Sequence, residues 1–98
     1  MMLKNFRTYH LALNFYKECE QIKSRAHIRD QLQRSALSVV LNLAEGSAKP
    51  TTKDRKKYYA ISLGSFRESQ ALLEILGKKK ELQESDMLGS CLYKLVHS

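Results

Sequence analysis

Apolar residues recur along most of the chain at the three- and four-residue spacing of amphipathic helices. Four such segments predict helices at about residues 3–24, 27–47, 52–79 and 86–97. The apolar stripes of the four segments are Met2, Phe6, Tyr9, Leu13 and Tyr16; Ile28, Leu32, Ala36, Val39 and Leu43; Tyr59, Leu63, Phe66 and Leu73; and Leu88, Cys91 or Leu92, and Leu95. Ala12, Phe15, Cys19 and Ile22 widen the first stripe. No alternating strand pattern competes, so the fold class is predicted to be all-α.

Turn and capping residues separate these segments. Pro50 stops the second helix, and Thr51 with Asp54 forms a capping-box pattern that starts the third. Ser85 is the predicted N-cap of the fourth. Because short connections force neighbouring helices to run in opposite directions, we predict one antiparallel up-and-down four-helix bundle domain over residues 1–98.

The composition narrows the class of protein. The 98 residues are 43% hydrophobic and 28% charged, which is typical of a globular chain of one domain. Neither a membrane-spanning run nor a signal peptide is visible, so we expect a cytoplasmic protein that makes no membrane contact. The cysteines, Cys19 and Cys91, lack metal-ligand spacing, so neither a metal nor another cofactor is predicted.

A seam of small or polar residues interrupts the apolar middle of the chain. In the second helix it comprises Gln31, Ser35, Ser38, Asn42 and Glu45, and in the third it comprises Ser62, Ser65 and Ser69 beside Gly64. Antiparallel helices would place Ser35 near Ser69, Ser38 near Ser65, and Asn42 near Ser62 or Tyr58. The same register predicts an ion pair between Arg34 and Glu68. The seam is interpreted as a packing device, with a small-molecule slot as the alternative.

No catalytic constellation accompanies this seam. Glu45 and Glu68 have no Ser/His/Asp, Cys/His or metal-type partners, and the histidines are scattered. The protein is therefore predicted not to be an enzyme.

The strings QLQRSALSVVLNLAEGSAK, KDRKKYYAISLGSFRE and LGSCLYKL carry a family resemblance. They resemble the four-helix-bundle proteins encoded in intervening sequences of bacterial 23S rRNA genes. The matching positions are Arg34, Ser35, Asn42, Ala44, Glu45, Gly46, Ser47, Lys53, Gly64, Ser65 and Glu68. The resemblance implies a ring-shaped homopentamer, and it extends to the accessory proteins of diversity-generating retroelements, which act with a reverse transcriptase and RNA. Arg55 departs from the family pattern, which usually has a bulky apolar residue there.

Charge provides an independent indication of partners. The chain has 17 Lys and Arg against 10 Asp and Glu, a net charge of +7, which is typical of a small protein that binds polyanions. Alternating helices would collect most of the surplus at one end. The predicted nucleic-acid contacts are Lys49, Lys53, Arg55, Lys56, Lys57, Lys4 and Arg7.

Two functions remain open from the sequence. The first is a non-enzymatic, oligomeric protein that binds RNA or another nucleic acid through this basic end. The second is a protein-interaction adaptor or scaffold without a nucleic-acid role. The surplus apolar surface of the second helix indicates contacts with further copies of the chain or with another protein, and it consists of Leu37, Val40, Leu41 and Ala44.

Overall fold

The computed structural model describes residues 2–98, which are helical over most of their length. A short 3₁₀ helix, Leu3–Asn5, precedes five α-helices. Their bounds are Arg7–Glu20 (α1), Ala26–Ser47 (α2), Thr52–Ile75 (α3), Lys79–Glu84 (α4) and Asp86–His97 (α5). No strand occurs within residues 2–98, so the all-α prediction is confirmed.

The first helix is shorter than the apolar period suggested. Phe6 has an extended backbone, with φ −96° and ψ 95°, and separates the 3₁₀ helix from α1. At the other end, Ile22 follows the helix and packs into the core from the connecting segment. The centre of the buried face also differs from the prediction. Of the predicted stripe, Phe6 is in the core, Met2 is exposed, and Tyr9, Leu13 and Tyr16 are only partly buried. The other core residues are those that seemed only to widen the stripe, Ala12, Phe15, Cys19 and Ile22.

The core joins all the long helices. Phe15 of α1 packs edge-on against Phe66 of α3, with ring centroids 5.3 Å apart, and Phe6 lies 6.0 Å from Tyr59. Leu32, Ala36, Val39 and Leu43 supply the buried stripe of α2 that the sequence predicts. Burying each Leu or Phe side chain contributes about 1.5 to 3 kcal/mol, so these contacts dominate the stability of the fold.

Helices α2 and α3 run in opposite directions along a contact lined with serines. The Ser35 and Ser69 hydroxyl oxygens are 2.7 Å apart, and so are those of Ser38 and Ser65. Ser62 donates to the Val39 carbonyl at 2.8 Å. The partner's number in α3 falls as the number in α2 rises, which fixes the antiparallel register.

Gly46 allows the closest approach near the bend between α2 and α3. A Cβ atom there would lie 2.8 Å from Cε1 of Tyr59 and 3.1 Å from Cβ of Tyr58. Thr51 accepts a hydrogen bond from the Asp54 backbone N–H at 3.2 Å and so starts α3 as the capping pattern predicts.

Helix α3 ends at Ile75, earlier than predicted, because Gly77 adopts a left-handed conformation with φ 71°. Lys78 N–H then donates to the Leu73 carbonyl and Gly77 N–H to the Glu74 carbonyl, the two bonds of a Schellman motif. The segment between the predicted third and fourth helices is not a simple turn but contains the short helix α4. Ser85 is not a side-chain cap, since its hydroxyl donates back to the Leu82 carbonyl at 2.6 Å.

The remaining contacts set the directions of α1 and α5. Gln70 donates to the Ser85 hydroxyl, and Lys56 donates to the Ser98 carbonyl, so α5 runs opposite to α3. The pairs Phe6 with Tyr59 and Phe15 with Phe66 show that α1 runs in the same direction as α3. The described residues form an elongated body of 40 × 22 × 21 Å.

Candidate nucleic-acid interface

The first two turns of α3 form the cationic end of the molecule. Lys53 and Lys57 are exposed there, and neither forms an ion pair with another residue of the described chain. Lys56 is partly buried, and its ammonium group binds the Ser98 carbonyl at the end of α5. Cations near a helix N-terminus oppose the helix dipole, so the fold itself does not favour lysine at these positions.

Lys49 is less available than the sequence suggested. Its ammonium group lies 3.1 Å from the Glu45 carboxylate and 5.0 Å from the centre of the Tyr58 ring. The hydrogen bond and the charge of Glu45 raise the pKa of Lys49. Glu45 therefore neutralises one of the cations that the sequence assigns to the interface.

Arg55 has a structural role at the bend between α2 and α3. Its guanidinium group donates to the Lys49 carbonyl at 3.0 Å and to the Thr52 hydroxyl at 3.1 Å. The first bond satisfies a carbonyl beyond the end of α2 that has no helical partner. Arg55 therefore stabilises the connection, and its charge adds to the positive field of the basic end.

The two cations near the chain start are arranged differently from each other. Lys4 is exposed in the 3₁₀ helix. Arg7 instead reaches sulfur of Met87 at 2.9 Å, in the first turn of α5, whereas the basic end lies beside the last turn of that helix. Arg7 is thus engaged with the other end of α5 and does not join the remaining predicted contacts. We use the term basic end below for Lys4, Lys49, Lys53, Arg55, Lys56 and Lys57.

The serine seam is saturated by its own hydrogen bonds. Ser35 donates to the Leu32 carbonyl or to Ser69, and Ser69 has the Ser65 carbonyl as a second acceptor. Within residues 2–98, no buried side-chain nitrogen or oxygen lacks a partner. Unpaired hydroxyls of this kind cost about 1 to 3 kcal/mol each, so their mutual pairing makes a polar helix contact stable.

One detail of the predicted seam is wrong. Arg34 is exposed and forms no ion pair with Glu68, whose carboxylate instead accepts a hydrogen bond from the Gln31 amide at 2.8 Å. Asn42 donates to the carbonyl and hydroxyl of Ser38 in its own helix. The outer edge of the seam is an open groove of about 340 Å³ that includes Arg34 and Glu68.

Of the four predicted oligomer contacts, two are exposed and two are not. Leu37 and Leu41 are exposed, by 38% and 56%, and belong to the outer face of α2. Val40 is a core residue because it lies on the inward face with Ala36 and Val39, and Ala44 is partly buried. The sequence reasoning missed Ile61, which is 45% exposed on α3 at the level of Leu41 in the observed register. Its position outside the stripe of Tyr59, Leu63 and Phe66 was the available signal.

Other kinds of site find no support among residues 2–98. This part of the chain has no cluster of three or more His, Cys, Asp or Glu side chains placed to hold a metal ion. None of its helices combines the length and apolar character that crossing a membrane needs.

These features define an all-helical protein with a hydroxyl-lined contact between its two longest helices and a cationic end. The model of the 23S rRNA-intervening sequence protein family matches residues 5–92, and the chain belongs to this family. Searches among curated proteins and among solved structures find no match to the chain.

Proposed function

We propose that the protein is a non-enzymatic, oligomeric RNA-binding protein that contacts phosphates through its basic end. The observation that carries this proposal is the exposure of Lys53 and Lys57 without carboxylate partners in the first turns of α3. The family is named after a segment of 23S rRNA, which makes RNA the polyanion to test first.

The architecture behind this proposal is an antiparallel up-and-down four-helix bundle of α1, α2, α3 and the α4–α5 segment. The opposed directions of α2 and α3, and of α3 and α5, support it. Such a bundle brings the 3₁₀ helix, the bend after α2 and the end of α5 to the same end of the long axis. The lysines of these segments can then contact neighbouring phosphates of one RNA strand.

Phosphate binding by lysines has a diagnostic salt dependence. Each neutralised phosphate of a single strand releases counterions and contributes about −0.7 to the slope of log K against log salt concentration. The test compares Lys53→Gln/Lys56→Gln/Lys57→Gln with Lys78→Gln/Lys79→Gln/Lys80→Gln, which removes the same charge around the start of α4. The probe is a labelled structured RNA, and anisotropy is measured between about 50 and 200 mM KCl.

We expect the basic-end variant to lose about 2 units of slope and at least about tenfold in affinity, since three phosphate contacts disappear. The control variant should lie close to the wild type. Equal losses in both variants would show a response to net charge alone and would contradict the proposal. Unchanged affinity in the basic-end variant would also contradict it.

Self-association is the second part of the proposal. Leu37 and Leu41 of α2 and Ile61 of α3 are exposed apolar residues, and Ile61 lies at the level of Leu41 in the observed register; we refer to the three as the apolar patch. Apolar patches of this kind usually mark contacts with other chains. A ring of five subunits is the assembly that the family resemblance implies, and it would repeat the basic end around one axis and so multiply phosphate contacts.

The assembly is tested by light scattering at micromolar concentration. We expect the wild type to be larger than a monomer and Leu41→Lys to be smaller, with unchanged helical content by circular dichroism. Ile75→Lys is the matched control, because Ile75 is 70% exposed on α3 but lies outside the patch. A monomeric wild type, or equal effects of the two variants, would overturn this part.

A protein-interaction adaptor is the alternative that the same apolar patch favours. In that case Leu41→Lys should abolish capture of a protein partner after nuclease treatment. The Lys53→Gln/Lys56→Gln/Lys57→Gln variant should capture the partner normally.

A further inference from the structure

An open groove of about 530 Å³ runs between α3 and α5, apart from the serine seam. Phe66, Arg67 and Gln70 line it from α3, and Gly89, Ser90, Tyr93 and Lys94 line it from α5, with Asp86 at one end. None of these residues belongs to the interface that the sequence predicts. The groove therefore needs its own explanation.

Gly89 lies where α5 packs against α3 beneath the groove. A Cβ atom there would lie 3.0 Å from Cε2 of Phe66, so a larger side chain would have to displace the ring. Because Phe66 is fully buried, the missing Cβ allows the two helices to approach closely, and the groove opens over this contact. The side chains that a ligand can reach in the groove are therefore the exposed ones, among them Arg67, Tyr93 and Lys94.

Tyr93 forms one wall of the groove and is 52% exposed. Its ring packs on the His97 ring one turn later, with centroids 4.2 Å apart and planes inclined by 36°. An aromatic pair on the surface orders the Tyr93 ring before any ligand binds, which lowers the entropy that binding would cost. The exposed part of the ring is then available for stacking.

Two cations flank this aromatic wall. Arg67 and Lys94 are exposed, and neither forms a hydrogen bond or an ion pair with another described residue. Lys94 lies toward the C-terminal end of α5, where Lys56 binds the Ser98 carbonyl. The groove therefore opens beside the basic end, and Asp86 repels phosphate from its other end.

We propose that the α3–α5 groove binds one unpaired RNA nucleotide, with the base stacked on Tyr93 and the phosphate held by Arg67 and Lys94. This inference rests on the proposed RNA-binding function and adds a preference for single-stranded segments. A base within a duplex is already stacked on both faces and is not available to Tyr93. Stacking on an aromatic side chain accepts any base, so the groove selects unpaired structure rather than sequence.

The test separates stacking from charge. Tyr93→Ala removes the ring, and Arg67→Gln/Lys94→Gln removes the two cations. Each variant is titrated with a labelled single-stranded oligonucleotide and with a fully paired RNA of the same length. Ile75→Ala serves as the control, because it truncates an exposed apolar residue of α3 that does not line the groove.

We expect Tyr93→Ala to weaken single-strand binding at least about fivefold, the lower limit for one lost base stack. Duplex binding should stay within about twofold of the wild type, since the duplex offers no free base. The salt slope should also stay unchanged, because stacking releases no counterions. The cation variant should instead lower the slope for the single strand by about 0.7, the contribution of one phosphate contact.

A second variant gives a direct signature. The chain contains no tryptophan, so Tyr93→Trp introduces a single fluorescent indole in the groove. Single-stranded RNA should quench its fluorescence, and duplex RNA should not.

The outcomes distinguish this inference from the proposed function. If the basic-end variant loses affinity for both RNAs while Tyr93→Ala binds both as the wild type does, the groove site is wrong and the basic end remains. Equal losses for single strand and duplex in Tyr93→Ala would also overturn the site. Failure of the wild type to bind either RNA would overturn both proposals.

Discussion

The glycines of α2 and α3 illustrate how differently one residue type can be placed. A Cβ atom at Gly46 would lie 2.8 Å from the Tyr59 ring, whereas a Cβ atom at Gly64 would meet nothing within 4 Å. Both glycines are inside helices, where alanine is intrinsically favoured by about 0.8 to 1.0 kcal/mol. The difference between the two alanine variants therefore measures the close packing at Gly46.

We predict that Gly46→Ala is less stable than Gly64→Ala by about 1 to 3 kcal/mol, the usual cost of overpacking a core. Gly64→Ala should be at least as stable as the wild type. Urea unfolding followed by circular dichroism measures both values. Equal stability of the variants would mean that the Tyr59 ring moves aside without cost.

The two cysteines are predicted to differ in reactivity. Burial, with smaller contributions from Glu18 and Glu81, raises the pKa of the Cys19 thiol to about 12, while Cys91 is partly exposed. Because the thiolate is the reactive form, the native protein at about pH 8 should release one equivalent of dye from a disulfide reagent. A second equivalent should appear only in guanidinium chloride.

Cys91→Ser is the control for this assignment. The variant should show no fast release in the native state and one equivalent after unfolding. Fast reaction of the native variant would contradict the burial of Cys19.

At the scale of the helices, the end of α3 depends on one backbone conformation. Gly77 has φ 71°, and a Cβ atom there would meet no neighbour within 4 Å, so the only cost of a side chain is conformational. Gly77→Ala should therefore destabilise the protein by about 1 kcal/mol. Gly77→Asn should recover part of the loss, because asparagine tolerates this conformation. Thermal unfolding measures the order of the variants, and a Gly77→Ala protein as stable as the wild type would contradict the prediction.

The helices themselves could be predicted from the sequence where their faces are strongly patterned. The stripe of α2 and the pairing of Ser35 with Ser69 followed from spacing and an antiparallel register. The early end of α3 did not, since an isolated glycine in a helical pattern is equally compatible with a continuous helix. The helix α4 was missed because its six residues, Lys79–Glu84, are too few to show a helical period of apolar residues.

Side-chain direction limited the prediction of the candidate site more than helix position did. The clustering of Lys53, Lys56 and Lys57 follows from the sequence, because they lie in adjacent turns of one helix. The engagement of Arg55 with the Lys49 carbonyl and the reach of Arg7 to Met87 depend on rotamers that no spacing encodes. The α3–α5 groove was not foreseen either, because it depends on how closely α3 and α5 pack and on where their exposed side chains lie.

At the scale of the whole molecule, charge acts mainly through repulsion. The net charge is +7, and the ion pairs among the described residues all join residues at most four positions apart in the sequence. Added salt therefore screens long-range repulsion without breaking contacts between helices. We predict that KCl raises the melting temperature by on the order of 4 °C while it weakens RNA binding.

The variant Lys53→Gln/Lys57→Gln tests the origin of this effect. It should melt higher than the wild type at low salt and respond less to KCl, since the lysines opposing the α3 dipole are gone. Differential scanning calorimetry measures both quantities, with Lys78→Gln/Lys79→Gln as the charge-matched control. A melting temperature that falls with KCl would show that ion pairs outweigh the repulsion.

The hydroxyl pair of Ser35 and Ser69 can be hydrogen-bonded in two directions. Each hydroxyl has one hydrogen and can accept more than one, and each oxygen also lies near a backbone carbonyl, Leu32 for Ser35 and Ser65 for Ser69. Either serine can donate to the other while its partner donates to a carbonyl, so two proton arrangements share one set of heavy-atom positions. The local dipole between α2 and α3 can therefore reverse by rotation of two O–H bonds, which lets this rigid contact adapt to the electric field of whatever binds nearby.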